Sequence, residues 1–429
     1  MICYNTRIAF HVCILEEYIL LDEFRKLSQH FLEIKNQSYK RYFIQKTKLT
    51  ERLSILIGQR GIGKTTTVIQ YLMAYAGNDR FKSNVLYIQA DHFQMGDRSL
   101  YEIAEQFVQL GGELIAFDEI HKYPNWSIEL KSIYDTFPSL KIIASGSSAL
   151  EVHKGSHDLS RRAIVYRMYG MSFREYLELY YGILISSYSL DEILKDHEKI
   201  TDNIIKVIAE KNKKILSLFV DYINHGYYPY FREVNDQASY SILLEQNLHT
   251  IIESDLIAIY PHLTGNSVKK IKQLLSFIAH AVPFTPHWQK LKSLLEIGDD
   301  RTLKTYFKYL EDAELIQSIS KSSKKLHKLE SPEKIYLNNT NQLIALSYDQ
   351  HNKGTIRETF FLNIISTQHE VTLPVDGDFL IDEKYLFEIG GRKKGFGQVK
   401  NAKNAYIAID ETEQGIGAKI PLWLFGFLY

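Results

Sequence analysis

The run Gly58-Gln59-Arg60-Gly61-Ile62-Gly63-Lys64-Thr65 satisfies the pattern G-x-x-x-x-G-K-[ST] at every fixed position, and the chemistry of that spacing is phosphate binding. Glycines let consecutive backbone N–H groups turn inward around an anion, and a helix that starts at the end of the loop adds the positive end of its dipole. In such a loop Gly58, Gly61, Ile62, Gly63 and Thr66 form the cradle, Lys64 reaches the β- and γ-phosphates, and the Thr65 hydroxyl is a ligand of Mg²⁺. A bound nucleotide is the expectation.

A second pattern completes the first. Leu114-Ile115-Ala116-Phe117 is an apolar strand run ending in Asp118-Glu119, about fifty residues after Thr65. Paired acids at a strand end suit metal and water chemistry: Asp118 holds Mg²⁺ through a coordinated water, and Glu119 orients and deprotonates the water that attacks the γ-phosphate. Further on, Ile142-Ile143-Ala144 runs into Ser145-Gly146-Ser147-Ser148. Ser145, with Ser147 as second choice, is placed to sense the γ-phosphate or the attacking water, and a plain Ser/Gly turn is the alternative. Arg161 and Arg162 precede the next apolar run. Either one can serve as an arginine finger, in the chain or from a neighbouring subunit, or else be a solvated cation. His121 and Lys122 either contact the nucleotide or lie in a surface loop, and Trp126 reads as a packing residue.

These residues need a sheet to hold them. Ser54–Ile57 is strand-like before the loop, and Thr66–Met73 continues as a helix after it. Apolar runs at Ser54–Ile57, Val85–Gln89, Leu114–Phe117, Ile142–Ser145 and Ala163–Met168 alternate with helical patterns. Five strands with helical crossovers predict a parallel α/β sheet. The spacing of Leu20, Phe24, Leu27 and Phe31 predicts a helical segment over 1–49 ahead of an ATPase domain over 50–170. Residues 171–265 read as a helical lid or connector punctuated by Gly226-Tyr227-Tyr228-Pro229, and 266–338 as three helices followed by two strands, the order of a winged helix. Residues 339–429 are expected to form a small α/β domain, with a helix at Ile356–Ile365 and strands near Gly377–Ile381 and Tyr385–Ile389.

The bulk properties narrow the class. A chain of 429 residues exceeds one ordinary core. Lys plus Arg and Asp plus Glu each total 51, so no overall basic excess advertises nucleic acid. The cysteines, Cys3 and Cys13, cannot build a disulfide framework or a zinc site. No run is apolar and long enough to span a membrane, and the stretch Ile8–Leu21 is broken by His11, Glu16 and Glu17. The cytoplasm is the expected compartment.

Taken together, these stretches resemble AAA-type ATPases of bacteria and archaea that carry a C-terminal domain of unknown function similar to the PD-(D/E)xK nuclease fold. The resemblance rests on Gly58–Thr66, Phe117–Lys122 with Asn125-Trp126, Ser145–Ser148, Ser172-Phe173-Arg174-Glu175-Tyr176 and Gly226–Pro229. Later matches are Pro332–Leu337, Leu386–Gly391 and Pro421–Phe427. It implies ATP with Mg²⁺ and ring or dimer assembly of identical chains; an unknown protein partner is expected separately, if the ATP cycle drives a switch or motor. It also favours Arg162 over Arg161 as the finger, because Arg162 matches the arginine of the family's Gly-Arg pair while Arg161 replaces the glycine.

A PD-(D/E)xK site needs acids and a lysine converging on a metal. Asp378 and Glu388 supply acids, and Glu358 offers a third. The lysine expected two residues after Glu388 is replaced by Gly390, the nearest cations being Arg392 and Lys393. A retained fold used for docking is therefore favoured over cleavage. DNA contact has its own cations: Arg301, Lys304 and Lys308 on the third helix, and Lys321, Lys324, Lys325 and Lys328 at the wing. The simpler reading is a solvated helix face.

Overall fold

A computed structural model describes residues 21–149, 159–234, 236–321, 333–347, 352–395, 397 and 404–429. The chain divides into two compact units, Met1–Met168 and Tyr169–Tyr429.

In the first unit, helices α1 (21–34) and α2 (Tyr42–Lys46) precede β1 (Leu53–Gly58), α3 (Lys64–Tyr75) and β2 (Val85–Gln89). Then follow α4 (Leu100–Gln109), β3 (Leu114–Asp118), α5 (Trp126–Thr136), β4 (Lys141–Ser147) and β5 (Ala163–Arg167). All five strands are parallel, in the order β2-β3-β4-β1-β5. The expected strands are all present. Their continuous Val/Ile/Leu runs reflect burial on both faces, as a helix-covered parallel sheet requires, and every residue of β1 and β3 is buried. Ile55, Ile57, Phe117, Ile142 and Ala144 lie in one core cluster with Phe107 and Leu130 of the covering helices. Helix α4 is started by a reciprocal capping box between Ser99 and Glu102.

Strand order matters because β4 lies between β1 and β3. Gly58 is in register with Ser147, and Phe117 with Ala144. The phosphate loop, the Ser145–Ser147 end of β4 and the Asp118-Glu119 pair therefore lie at the same C-terminal edge of the sheet, where ligands of open α/β sheets bind.

The second unit begins with helices Phe173–Tyr181, Leu190–Glu210, Ile215–His225 and Gln237–Thr250. Helices Gly265–Ala281, Trp288–Leu295 and Asp300–Asp312 follow, and then an antiparallel pair β6 (Ile316–Ile319) and β7 (Lys334–Leu337). Lys324, Lys325, Lys328 and Pro332 lie outside the described residues. Beyond β7 come helices Thr340–Leu346 and Lys353–Ile365 and a second sheet, β8 (Val371–Thr372), β9 (Phe379–Ile381), β10 (Tyr385–Gly390), β11 (Ala405–Ile409) and β12 (Lys419–Pro421). Its order is β12-β11-β10-β9-β8, with β10 parallel to β11 and antiparallel to β9. Sequence reading finds β9 and β10 but not β8, β11 or β12: runs of two to five residues are too short for a period to register. The ending Leu422–Phe427 is a buried 3₁₀ turn, and the Tyr429 main-chain oxygen accepts bonds from Ser172 Oγ at 2.8 Å and Arg174 Nε at 2.9 Å.

In this unit Asp378 accepts the Ile389 N–H at 2.7 Å. Burial, with the Glu358 and Glu388 carboxylates nearby, raises its pKa to about 6. A carboxyl with a raised folded pKa favours the folded state most at low pH, and loses that advantage as pH climbs from its ordinary 3.8 through about 6. Asp378→Asn keeps an acceptor for Ile389 without the charge. The variant's thermal midpoint is therefore expected to rise relative to the parent between about pH 4 and 6.5 and to level off above that, by an effect on the order of 1–3 kcal/mol. A difference that is flat with pH would contradict it.

Candidate functional site

The turn after β1 requires its glycines. Gly61 and Gly63 have φ of 84° and 97°, a region that side-chain-bearing residues avoid. A Cβ on Gly58 would sit 2.4 Å from the Met168 main-chain oxygen. Gly63 is the N-cap of α3, so the loop's N–H groups and the helix N-terminus share one concavity. Lys64 is 6% exposed and folds back over the loop, its Nζ donating to Gly58 O at 2.8 Å and Gln59 O at 2.7 Å. The cradle is braced from outside: Arg41 donates to Ile62 O at 2.5 Å, and Gln70 Nε2 donates to Gln37 O and Tyr39 O, each at 2.7 Å.

Asp118 ends β3 fully buried and surrounded by donors. Its Oδ2 accepts from Thr65 Oγ1 at 2.6 Å and from Tyr87 OH at 2.7 Å. Its Oδ1 accepts from the Glu119 N–H at 3.1 Å and from Ser145 Oγ. The Thr65 hydroxyl and the Asp118 carboxylate, drawn from two motifs 53 residues apart, are thus in direct contact. A Mg²⁺ site built on one carboxylate, one hydroxyl and substrate phosphates needs no all-protein cage. Among the described residues no group of three or more His, Cys, Asp or Glu side chains forms one. The donor set fits Mg²⁺.

Glu119 sits just beyond, with a left-handed backbone (φ 54°), and such local strain recurs at functional sites. Its Oε2 lies 3.6 Å from His121 Nε2 and 4.0 Å from Lys122 Nζ. His121 is buried, and its Nδ1 accepts the Ser147 N–H at 3.3 Å, tying the turn after β3 to the end of β4. Lys122 also pairs with Asp91 at 2.6 Å. Trp126 packs against the core, as a packing residue should.

Ser145 does not face open crevice: its hydroxyl is engaged by Asp118. Arg162 stands apart. It pairs with Asp135, Nε to Oδ1 at 2.8 Å and NH2 to Oδ2 at 2.9 Å. The next residue, Ala163, is in register with Leu53 at the start of β1, whereas the phosphate loop leaves β1 at Gly58. Five residues of strand, about 16 Å, separate the two sheet edges. Arg162 thus lies at the edge of the sheet away from the phosphate loop of its own chain. Arg161 lies at the same edge.

Sequence reading misses two residues here. Tyr87 is masked by the apolar run Val85–Gln89, and only its polar tip hinted at a buried partner. Burial and the Asp118 carboxylate push its phenol far above the ordinary range, so it remains a donor. Arg41 carries no motif at all.

In the second unit the third expected acid, Glu358, is taken up by Lys334 at 2.9 Å and Tyr336 OH at 2.5 Å. Glu388 is fully buried and pairs with Lys394. Arg392 and Lys393 are the nearest cations along the sequence, and Lys394, one residue further, is the one that pairs with Glu388 in space. The chain turns back after Gly390, with Lys394 N–H bonding Gly391 O at 2.8 Å. A Cβ on Gly390 would lie 2.6 Å from Lys394 Cβ and Cγ. On the helix Asp300–Asp312, Arg301 is exposed and the Lys304 ammonium lies 5.7 Å from the Trp288 ring centre.

Among the described residues no helix is long and apolar enough to cross a membrane. Residues 50–177 match the family model of an AAA domain, and residues 216–351 match that of a domain of unknown function, DUF8612. The chain is 30% identical over 328 residues to an uncharacterized protein of Methanocaldococcus jannaschii, a match taking in 74% of this chain and 66% of that protein. Solved structures similar to it include the S. cerevisiae Hsp104-ADP complex, at 14% identity, covering 68% of this chain and 41% of that one, with a TM-score of 0.25. A DNA replication initiation factor matches at 16% identity over 68% of this chain and 88% of its own, with a TM-score of 0.26. PCH-2 of C. elegans matches at 14% identity over 68% and 67%, with a TM-score of 0.24. The phosphate-loop motif, the β2-β3-β4-β1-β5 parallel order and the match to the AAA-domain model thus fall in one segment, residues 50–177, whose fold is that of a P-loop α/β sheet.

Proposed function

We propose that this protein binds ATP with Mg²⁺ and hydrolyses it, and that the nucleotide cycle moves the parts of residues 169–429 against a protein partner. The observation that carries the reading is the 2.6 Å contact between Thr65 and Asp118, which brings the loop and the paired acids to one point. Gly58 to Thr66 cradle the phosphates. Lys64 leaves the Gly58 and Gln59 carbonyls for the β- and γ-phosphates, exchanging two neutral acceptors for charged ones. Thr65 and Asp118 hold Mg²⁺, which when bound neutralises charge on the phosphate oxygens. Glu119 takes the proton of the attacking water, while His121 and Lys122 fix its carboxylate. Ser145 and Tyr87 orient Asp118. The broader organisation belongs to the same proposal: 171–265 a helical lid, 266–338 a winged helix, supported by its three helices and antiparallel pair, and 339–429 a PD-(D/E)xK-like domain.

Assembly is part of the reading, with Arg162 serving another subunit's site. ATP turnover per chain is expected to rise with protein concentration, and Arg162→Ala to lower the plateau by at least about tenfold, the low end of what a finger supplies. A rate per chain that is constant with concentration and equal in the variant would remove the finger.

A second reading, a DNA-binding or nuclease-related protein regulated by ATP, is favoured by one observation: the lysine missing at position 390 is replaced in space by Lys394, on Glu388. Against it, Glu358 and Asp378 are already committed to local hydrogen bonds. Incubation with linear and circular DNA and Mn²⁺ at low salt decides; neither retention nor cleavage would dismiss it.

A further inference from the structure

On α1, away from the phosphate loop, is a second place with anion chemistry. A cavity of about 280 Å³ opens between this helix and the segment before β2. Its lining carries four cations, Arg25, Lys26, Arg80 and Lys82, against one carboxylate, Asp22. Two of the cations are matched: Lys26 pairs with Asp22 at 2.6 Å, and Arg80 pairs with Glu33. Arg25 is not. Its Nε and NH2 are buried and have no hydrogen-bond partner, and Lys82 makes no ion pair among the described residues.

Two guanidinium nitrogens withdrawn from water without an acceptor are costly, since each orphaned donor carries its own desolvation penalty. The helix is not free to swing it out: Ser28 Oγ accepts the Tyr87 N–H at 2.9 Å, and Phe31 packs against the Tyr87 ring at 5.3 Å between centroids. The missing partner must therefore come to Arg25. A planar fork of N–H donors flanked by lysine matches the oxygens of a phosphoryl group, which accepts two parallel bonds. The volume sets the size. At about 280 Å³ it has room for one or two phosphoryl groups.

We propose that Arg25 and Lys82, on the N-terminal helix and the segment before β2, form a binding site for a small phosphate-class oxyanion, separate from the phosphate loop. Titration calorimetry tests it in a Lys64→Ala background, where the phosphate loop is disabled, with inorganic phosphate and pyrophosphate as separate probes. Saturable binding of either probe is expected, and the one that binds tells whether one or two phosphoryl groups are taken. Affinity should fall at least about tenfold on adding Arg25→Gln or Lys82→Gln, the loss of one charge-assisted hydrogen bond. Circular dichroism checks the fold of the Arg25 variant; should it be disturbed, the exposed Lys82 variant alone decides. Absence of binding of both probes in the Lys64→Ala protein, or equal affinity in the variants, would overturn the site. Because every comparison shares the Lys64 background, neither result depends on whether the protein hydrolyses ATP.

Discussion

Glu119→Gln is expected to retain Mg²⁺-dependent ATP binding while turnover drops at least about a hundredfold, the lower bound for loss of a general base. The substitution keeps the shape of the side chain and its acceptor oxygen, so the left-handed turn at φ 54° and the approach to His121 and Lys122 survive. What it removes is the basic oxygen. Binding should persist because the cradle, Lys64, Thr65 and Asp118 lie on β1, α3 and β3, where Lys64 bonds the Gly58 and Gln59 carbonyls and Thr65 bonds Asp118 rather than the Glu119 side chain. Phosphate release under saturating ATP measures the rate, and a fluorescent ATP analogue measures the affinity. Equal turnover in variant and parent would strip Glu119 of its role; loss of both binding and turnover would make it a structural residue.

Lys64→Ala is expected to abolish nucleotide binding, raising Kd by at least about a hundredfold, since a buried charged contact to phosphate is worth roughly 3 kcal/mol or more. The same change should scarcely unfold the protein. Among the described residues Lys64 donates to Gly58 O and Gln59 O, two charge-assisted bonds that largely offset the cost of holding its ammonium away from water. Arg41, through Ile62 O, continues to brace the loop. A binding defect with nearly unchanged thermal midpoint separates the lysine's role at phosphate from a role in folding. If the variant binds ATP as the parent does, the phosphate-loop reading fails.

The two variants differ in the step they stop, and together they distinguish an enzyme from a protein that keeps nucleotide as a structural ligand. A structural ligand predicts a stability defect in Lys64→Ala and no phosphate release from either chain.

The glycine-rich loop, the paired acids, the strands that carry them and the parallel character of the first sheet were legible in the sequence. Each depends on residues close together in the chain. Gly61 and Gly63 announce a positive-φ turn, and the runs at Ser54–Ile57 and Leu114–Phe117 announce strands buried on both faces. The second sheet was half legible, since β8, β11 and β12 gain their pairing from neighbours rather than from a repeat of their own. The replacement of a lysine at 390 by Lys394 was not legible at all, because a turn four residues long sets two side chains in one place.

What sequence alone determined here is the inventory: the glycine-rich loop of Gly58–Thr65, the paired acids Asp118 and Glu119, and the local elements that bear them, all dictated by backbone geometry and periodicity over short stretches. What tertiary structure decided is who meets whom. Placing β4 between β1 and β3 brings Thr65 onto Asp118, recruits Tyr87 and Ser145 to the same carboxylate, and sends Arg162 to the opposite edge. Strand order and register arise from how long-range segments share one core, and no pattern confined to a few consecutive residues can encode them.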